Sequence, residues 1–376
     1  MKNSNRFLSF LQSFLSPETV AQAAENAGYQ DTSRQFSVHW LLGFWTLSAV
    51  HRWKSYRSGA DLAESAGLKS AHYSRISTKA AEVPYSLFKA LFHRLVSQKN
   101  RRFRRQLAFP KELLLIDSTT VTVGETRLPW APYHGKRAGV KLHVALRETE
   151  HVPEKVVETI GSLHDGPLSE QLVHPDFIMI MDRAYGKLER LDRFKTSKQS
   201  YVVRLRDNVN LHEPRSLRRH PSEESNVIRD ISCQLGTPQN RSQERHRVVV
   251  FKDYEGREIR VATDLMEVSG EQIAQMYKAR WEIEVFFRWI KQNLNVPTLF
   301  GTTENAVYGQ LYGALIAYVI LKSLFESAKM NVPKHVELSF IRFFRLFLTE
   351  QLPAEWRLVM QHEHFLSSVF QQNKFT

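Results

Sequence analysis

Two apolar runs, each ended by an aspartate, restrict the fold of this chain more than any other feature. They read Leu113-Leu-Leu-Ile-Asp117 and Phe177-Ile-Met-Ile-Met-Asp182. Each is too short for a typical helix and has no polar alternation, which predicts buried strands rather than surface ones. In an open α/β sheet the strand ends are where sites gather. A carboxylate cannot remain inside such a sheet uncompensated, so each acid is either solvated at the rim or holding a cation. Two aspartates in the same context favour the cation.

The neighbouring sequence supports an α/β core. Residues 140–147, 156–160 and 200–205 read as further strands, with a helix near 187–195. Residues 207–247 are polar and read as an insertion, followed by strands at 245–252 and 258–263 around the turn Asp253-Tyr254-Glu255-Gly256. A long helix is expected from about 269 to 294, opened by a capping box of Ser269 and Gln272. The remainder is mostly helical. No internal repeat or low-complexity tract is present.

The first hundred residues read as helical throughout. Ser16-Pro17-Glu18 supplies an N-cap, a proline at the first helical position and an acidic first turn. The segment 58–68, followed by 69–79, has the small-residue turn of a helix-turn-helix, with Leu62, Ala63, Leu68 and Ile76 as packing positions. Lys69, His72, Tyr73, Arg75 and Lys79 would then be available to DNA; an ordinary helical hairpin is the alternative. Residues 97–111 carry Lys99, Arg101, Arg102, Arg104, Arg105 and Lys111, either a solvated charge run or a phosphate-contacting linker. The expected division is a helical N-terminal domain at 1–105, an α/β domain at 106–325 with an insertion at about 207–263, and a helical segment at 326–376.

Charge narrows the partners. Lys plus Arg number 52 against 39 Asp plus Glu, a net charge of +13 in 376 residues, which suits a polyanion such as nucleic acid. The single cysteine, Cys233, excludes an intrachain disulfide and a cysteine zinc cluster. Lys2 and Arg6 before an apolar stretch imitate a secretion signal, but Phe7, Phe10, Leu11 and Phe14 fall at helical spacing and read better as an amphipathic helix. The apolar run 311–321 lies between Gln310 and Lys322, is too short to span a bilayer, and reads as a buried helix, so no membrane is expected. No glycine-rich loop follows a strand, so no nucleotide cofactor is expected. His362-Glu363-His364 reads as exposed rather than metal-bound. Ser118 lacks a nucleophile-elbow context.

A third acid lies on the helix expected at 269–294. Tyr277, Arg280, Glu284 and Lys291 are three, four and seven residues apart, which on a continuous helix gives a stripe roughly 60° wide. Phe286 and Ile290 point elsewhere and would hold that helix to the core. The stripe is either a salt-bridged surface face, since Arg280 and Glu284 are an i,i+4 pair, or part of a site. Phosphodiester chemistry on two divalent ions needs few carboxylates, and adjacent cations would grip the same strand.

The pattern Tyr277-x2-Arg280-x3-Glu284-x6-Lys291 resembles the signature of the insertion-sequence-4 family of bacterial DDE transposases. Ile116-Asp117-Ser118-Thr119 and Met181-Asp182-Arg183-Ala184-Tyr185 resemble that family's two aspartate motifs, and the likeness covers roughly residues 110 to 325. It implies a ribonuclease-H-like core with a strand-rich insertion. It implies that Asp117, Asp182 and Glu284 are catalytic and bind two Mg²⁺ or Mn²⁺ ions, Asp117 between both. Tyr277, Arg280 and Lys291 would hold phosphates at the transposon end. Trp281 would either stack on a flipped base or pack in the core. Residues 183 to 280 contain no tryptophan, so a base-wedging Trp from the insertion is missing, with Tyr254 as a weak substitute. The resemblance also implies double-stranded DNA partners (terminal inverted repeats and target), a homodimer on DNA, and a bacterial cytoplasmic, nucleoid-associated location. Rival readings are a nuclease of the same fold, a catalytically inactive DNA-binding regulator and an RNA-binding protein; no single-strand stacking module supports the last.

Overall fold

The computed structural model describes residues 3–33, 35–99, 108–217 and 225–361. Lys2, the arginines 101, 102, 104 and 105, and the segment His362-Glu363-His364 lie outside the described residues. The chain divides into two compact units, residues 1–102 with 289–376, and residues 103–288.

In the first unit the described elements are helical. Ser16 caps the helix Pro17–Asn26 with Pro17 in its first turn, as expected. Phe7, Phe10 and Leu11 of the helix Asn3–Phe14 are buried, so the apparent signal stretch is an amphipathic helix within the fold. The helix Glu304–Asn331 runs through this unit and packs on the helices Val38–Val50, Tyr73–Glu82 and Tyr85–Lys99. It is much longer than its apolar run suggested. By length and composition it could cross a membrane, yet 89% of its apolar window is buried. Gly313 lets it approach the helix Val38–Val50: a Cβ there would meet the Cβ of Trp45 at 2.5 Å.

The second unit is built on a ten-stranded sheet: β1 (Glu112–Gly124), β2 (Arg137–Arg147), β3 (Val152–Ile160), β4 (Phe177–Met181), β5 (Tyr201–Arg204), β6 (Leu211–Ser216), β7 (Val227–Thr237), β8 (Asn240–Arg241), β9 (His246–Lys252) and β10 (Glu258–Thr263). The order is β3-β2-β1-β4-β5-β10-β9-β7-β6, with β8 paired to β7. β1, β2 and β3 are antiparallel neighbours, whereas β1, β4 and β5 run parallel. Among the described residues the polar stretch after β5 forms β6, β7 and β8. β7 buries alternate residues, Ile231, Cys233 and Leu235, on one face only, the half-covered pattern of an antiparallel strand. β10 pairs with β5, so the inserted strands continue the core sheet.

One face of the sheet carries an apolar cluster of Leu114, Ile116, Met179, Met181, Tyr185 and Leu191 with their neighbours. The helix Gly270–Lys278 packs on β4, β5, β7 and β9. Ser269 and Gln272 form the expected capping box. The single helix expected from 269 to 294 is instead two, Gly270–Lys278 and Trp281–Asn293. Between them Arg280 N, Glu282 N and Ile283 N bond to carbonyls three residues back, a 3₁₀-type tightening of one turn.

Candidate active site

Strand register brings the two aspartates together. β1 and β4 are parallel with Ile116 opposite Met181. The next residues, Asp117 and Asp182, therefore occupy equivalent positions on adjacent strands, where neighbouring chains are about 4.8 Å apart. β4 ends at Met181 while β1 continues beside β2 to Gly124, so both acids stand where the parallel pairing stops.

The helix pair brings the third acid. Arg280, in the tightened turn, donates from Nη2 to Glu284 Oε1 at 2.5 Å, and its Nη1 lies 3.5 Å from Asp117 Oδ2. Tyr277 donates its hydroxyl proton to Asp182 Oδ1 at 3.3 Å. Arg280 and Glu284 are therefore a pair, as the surface-stripe reading required, but a half-buried one shared with Asp117. A continuous helix is not what unites these residues. Tyr277 is on one helix, Glu284 on the next and Arg280 in the break.

Burial pushes the Asp117 carboxyl up to about 6, and the charges of Asp182 and Glu284 push the same way; the Ser118 amide, 2.8 Å from Oδ1, and Arg280 oppose the shift. Burial likewise raises the Tyr277 phenol to about 12, so it serves as a neutral donor. The donor set is three carboxylates, the oxygen ligands that a hard divalent cation takes, and their mutual repulsion is what such a cation would relieve. Among the described residues no three acidic, His or Cys side chains form a ready-made metal set. The Arg280 guanidinium instead supplies the positive charge between Asp117 and Glu284.

Trp281 is 52% exposed, with the Arg288 guanidinium 5.7 Å from its ring centre, so it is not a core residue. Lys291 lies farther along the helix Trp281–Asn293, in the first unit, half-buried, and burial lowers its ammonium pKa. Tyr254, at the β9–β10 turn, is 89% exposed.

In the helical unit, Tyr56–Ala63 and Tyr73–Glu82 stand where the helix-turn-helix was expected. Lys69 and Arg75 are exposed, and Tyr73 is half-buried beneath Arg57. Lys79 is different. It is buried, its ammonium 2.8 Å from Asp31 Oδ1 and near the rings of Tyr29 and Phe36. Its expected role toward DNA is therefore corrected: its charge is committed inside the protein. Leu62 is exposed, and Ala66 is buried instead.

Sequence reading missed Arg204, the half-buried last residue of β5. It also missed Arg183 and Arg206, which with Asp182, Ala184, Asp207 and Asn208 line an open cleft of about 550 Å³. The signal was available: Tyr201-Val-Val-Arg204-Leu-Arg206 is a third apolar strand ending in charge, here basic.

Comparison with known proteins shows the family. The family model described as "Transposase DDE domain" matches residues 108–320. The chain is 53% identical over 349 residues to the "Probable transposase for insertion sequence element IS5377" of Geobacillus stearothermophilus, covering 93% of this chain and 92% of the relative. It is 27% identical to a Synechocystis protein assigned to insertion sequence element IS4SA, over 64% of this chain and 68% of that one. Among solved structures, a cryo-EM piggyBac transposase synaptic complex with hairpin DNA aligns with a TM-score of 0.48 and 13% identity, over 95% of this chain and 81% of that chain. The family match spans more than half of the chain and falls on the strands and helices that carry the three acids, so this chain belongs to the DDE transposases of bacterial insertion sequences, metal-dependent enzymes that cut and join DNA.

Proposed function

We propose that this transposase moves its element by cut-and-paste, using Asp117, Asp182 and Glu284 as its catalytic acids on a ribonuclease-H-like core, the sheet order β3-β2-β1-β4-β5 with β6 to β10 as the strand-rich insertion. The three acids would hold two Mg²⁺ or Mn²⁺ ions, Asp117 serving both. Such ions stabilise the entering and leaving oxygens of an in-line displacement at phosphorus. In the first step water attacks the phosphodiester at the element's end, the bond to the 3′ oxygen breaks, and a free 3′ hydroxyl results. In the second, that hydroxyl attacks a target phosphodiester and displaces the target's own 3′ oxygen.

The protein's own groups orient these steps. Tyr277 fixes the Asp182 carboxylate through its hydroxyl. Arg280, once drawn from Glu284, offers a bidentate grip to a phosphate, and Lys291 a point charge. Trp281 offers an exposed ring for a base. Lys69, Tyr73 and Arg75 would meet the terminal repeats, and residues 1–105 would act as the DNA-binding domain ahead of the catalytic domain at 106–325 and the helical segment at 326–376. Holding both ends calls for a homodimer on DNA, at the nucleoid in the bacterial cytoplasm.

One observation carries this reading. Tyr277 and Arg280 reach the two aspartates through direct contacts, Tyr277 to Asp182 and Arg280 to Asp117, and Arg280 also holds Glu284. The test is Asp117→Ala with a duplex carrying the inverted repeat that borders the gene. Cleavage in Mg²⁺ should disappear while end binding stays within a few-fold. Loss of both together would assign Asp117 a structural role. A wild-type protein that binds ends but never cuts them would favour the inactive regulator.

A further inference from the structure

We infer that Arg183 and Arg206 form a seat for the backbone phosphate next to the one being cut. The inference rests on the transposase reading and extends it to the strand's path. The cleft lies beyond the C-terminal ends of the parallel strands β4 and β5, the position where open α/β sheets take their ligands. Asp182 lines it, so a strand with its scissile phosphate at the acids would pass a neighbouring phosphate into this space.

The chemistry of the lining is that of an anion site. Arg183 and Arg206 are exposed, and neither makes an ion pair among the described residues. They outweigh the one carboxylate of the cleft outside the catalytic set, Asp207. Arginine suits this place because its planar fork meets two phosphate oxygens at once. The wall is held firmly. Arg260 donates to the carbonyls of Asp207 at 2.9 Å and Val209 at 2.6 Å, and Val209 N bonds to Arg206 O at 3.1 Å. The Arg206 side chain thus projects from a fixed turn. Asp182, which lines the same cleft, accepts the Tyr277 hydroxyl proton at 3.3 Å. A phosphate drawn to Arg206 therefore shares its cleft with Asp182.

Two strands could supply that phosphate: the flanking donor DNA during cleavage, or the target DNA during joining. The experiment uses full-length Arg206→Gln, Arg183→Gln and the double variant, with the Arg206→Lys protein as rescue. Anisotropy in EDTA measures binding to a duplex bearing the terminal repeat with flanking DNA, and to the same duplex pre-cut at the end. If the seat holds the flank, Arg206→Gln weakens flanked-end binding about tenfold and lowers the salt slope by about 0.9 for a duplex flank or 0.7 for a single strand. Pre-cut binding then stays unchanged, and Arg206→Lys recovers most of the slope. If it holds the target, flanked-end binding and cleavage stay normal while joining of pre-cut ends falls about tenfold. Both results support the seat. Single and double variants within twofold of wild type in binding, cleavage and joining would overturn it. Failure of the wild-type protein to bind or cut ends would instead count against the proposed function, and a melting temperature equal to wild type keeps the two outcomes separate.

Discussion

Arg280 stands between Glu284 and Asp117, hydrogen-bonded to the first at 2.5 Å and 3.5 Å from the second. Three half-buried carboxylates without a counter-charge would repel one another, and here the counter-charge is a side chain. A divalent cation drawn to the same oxygens has to compete with it.

Arg280→Ala should therefore bind Mn²⁺ more tightly than wild type in the absence of DNA. A gain of about tenfold follows if only about one free molecule in ten has its guanidinium withdrawn. Titration calorimetry reads this directly, and transposition should be lost at the same time because the phosphate grip is gone. Unchanged or weaker Mn²⁺ affinity would show that the guanidinium does not occupy the cation's place.

Trp281 separates surface from core. Its ring is 52% exposed, so Trp281→Ala should leave the melting temperature almost unchanged. Stacking of a base on an aromatic side chain contributes about 1–3 kcal/mol, so binding of a frayed or flipped end should weaken roughly 5- to 150-fold, with Trp281→Phe between the two. A 2-aminopurine at the terminal base reports the unstacking. A large drop in stability, with no effect on DNA, would return Trp281 to a packing role.

Lys79 and Lys69 predict opposite phenotypes. Removing one partner of a buried ion pair typically costs about 3–5 kcal/mol, so Lys79→Ala should destabilise strongly in urea, and the double change with Asp31→Asn should recover part of the loss. Lys69→Ala and Arg75→Ala should leave stability alone and weaken end binding with a shallower salt dependence. Equal stability of Lys79→Ala and Lys69→Ala would contradict the buried pairing with Asp31.

His143, on β2, has no exposed surface. Its Nε2 shares a hydrogen bond with the Thr159 hydroxyl at 2.9 Å, and Asp165 Oδ1 lies 3.7 Å from Nδ1. Burial pulls its pKa down to about 4; Lys141 adds to this and Asp165 opposes it. The unfolded chain, titrating near 6.5, then binds the proton more readily than the folded one. Stability is complete above about pH 6.5 and falls as pH drops toward 4. His143→Gln should flatten that fall by up to about 3 kcal/mol, as urea unfolding across the window will show. Parallel curves for the two proteins would mean that His143 is not the titrating group.

The parts of this structure legible in advance are those whose cause is local. β1 and β4 announced themselves because an apolar run with no alternation has few places to go, although β1 runs on past Asp117 to Gly124 with Thr119 and Val121 still buried. The break at Ala279 and Arg280 gave no such signal. Both residues are good helix formers, and what meets the turn is a set of aspartates far away in sequence. Lys79 looked like a surface lysine because Asp31 comes 48 residues earlier in the chain. β7 was concealed by its uncovered face, where polar residues alternate with Ile231, Cys233 and Leu235 and dilute the apolar pattern. The two arginines of the cleft gave no acidic signal: Arg206 follows a strand end marked by basic rather than acidic charge.

The alignment of Ile116 with Met181 makes the proposed site a matter of counting. Side chains on a strand alternate between faces, so deleting any one residue between Leu113 and Ile116 would turn Asp117 toward the apolar cluster, away from Arg280. The chain could keep every charged group it has and still lose its chemistry. Length in these few residues is as much a part of the candidate site as the carboxylates themselves.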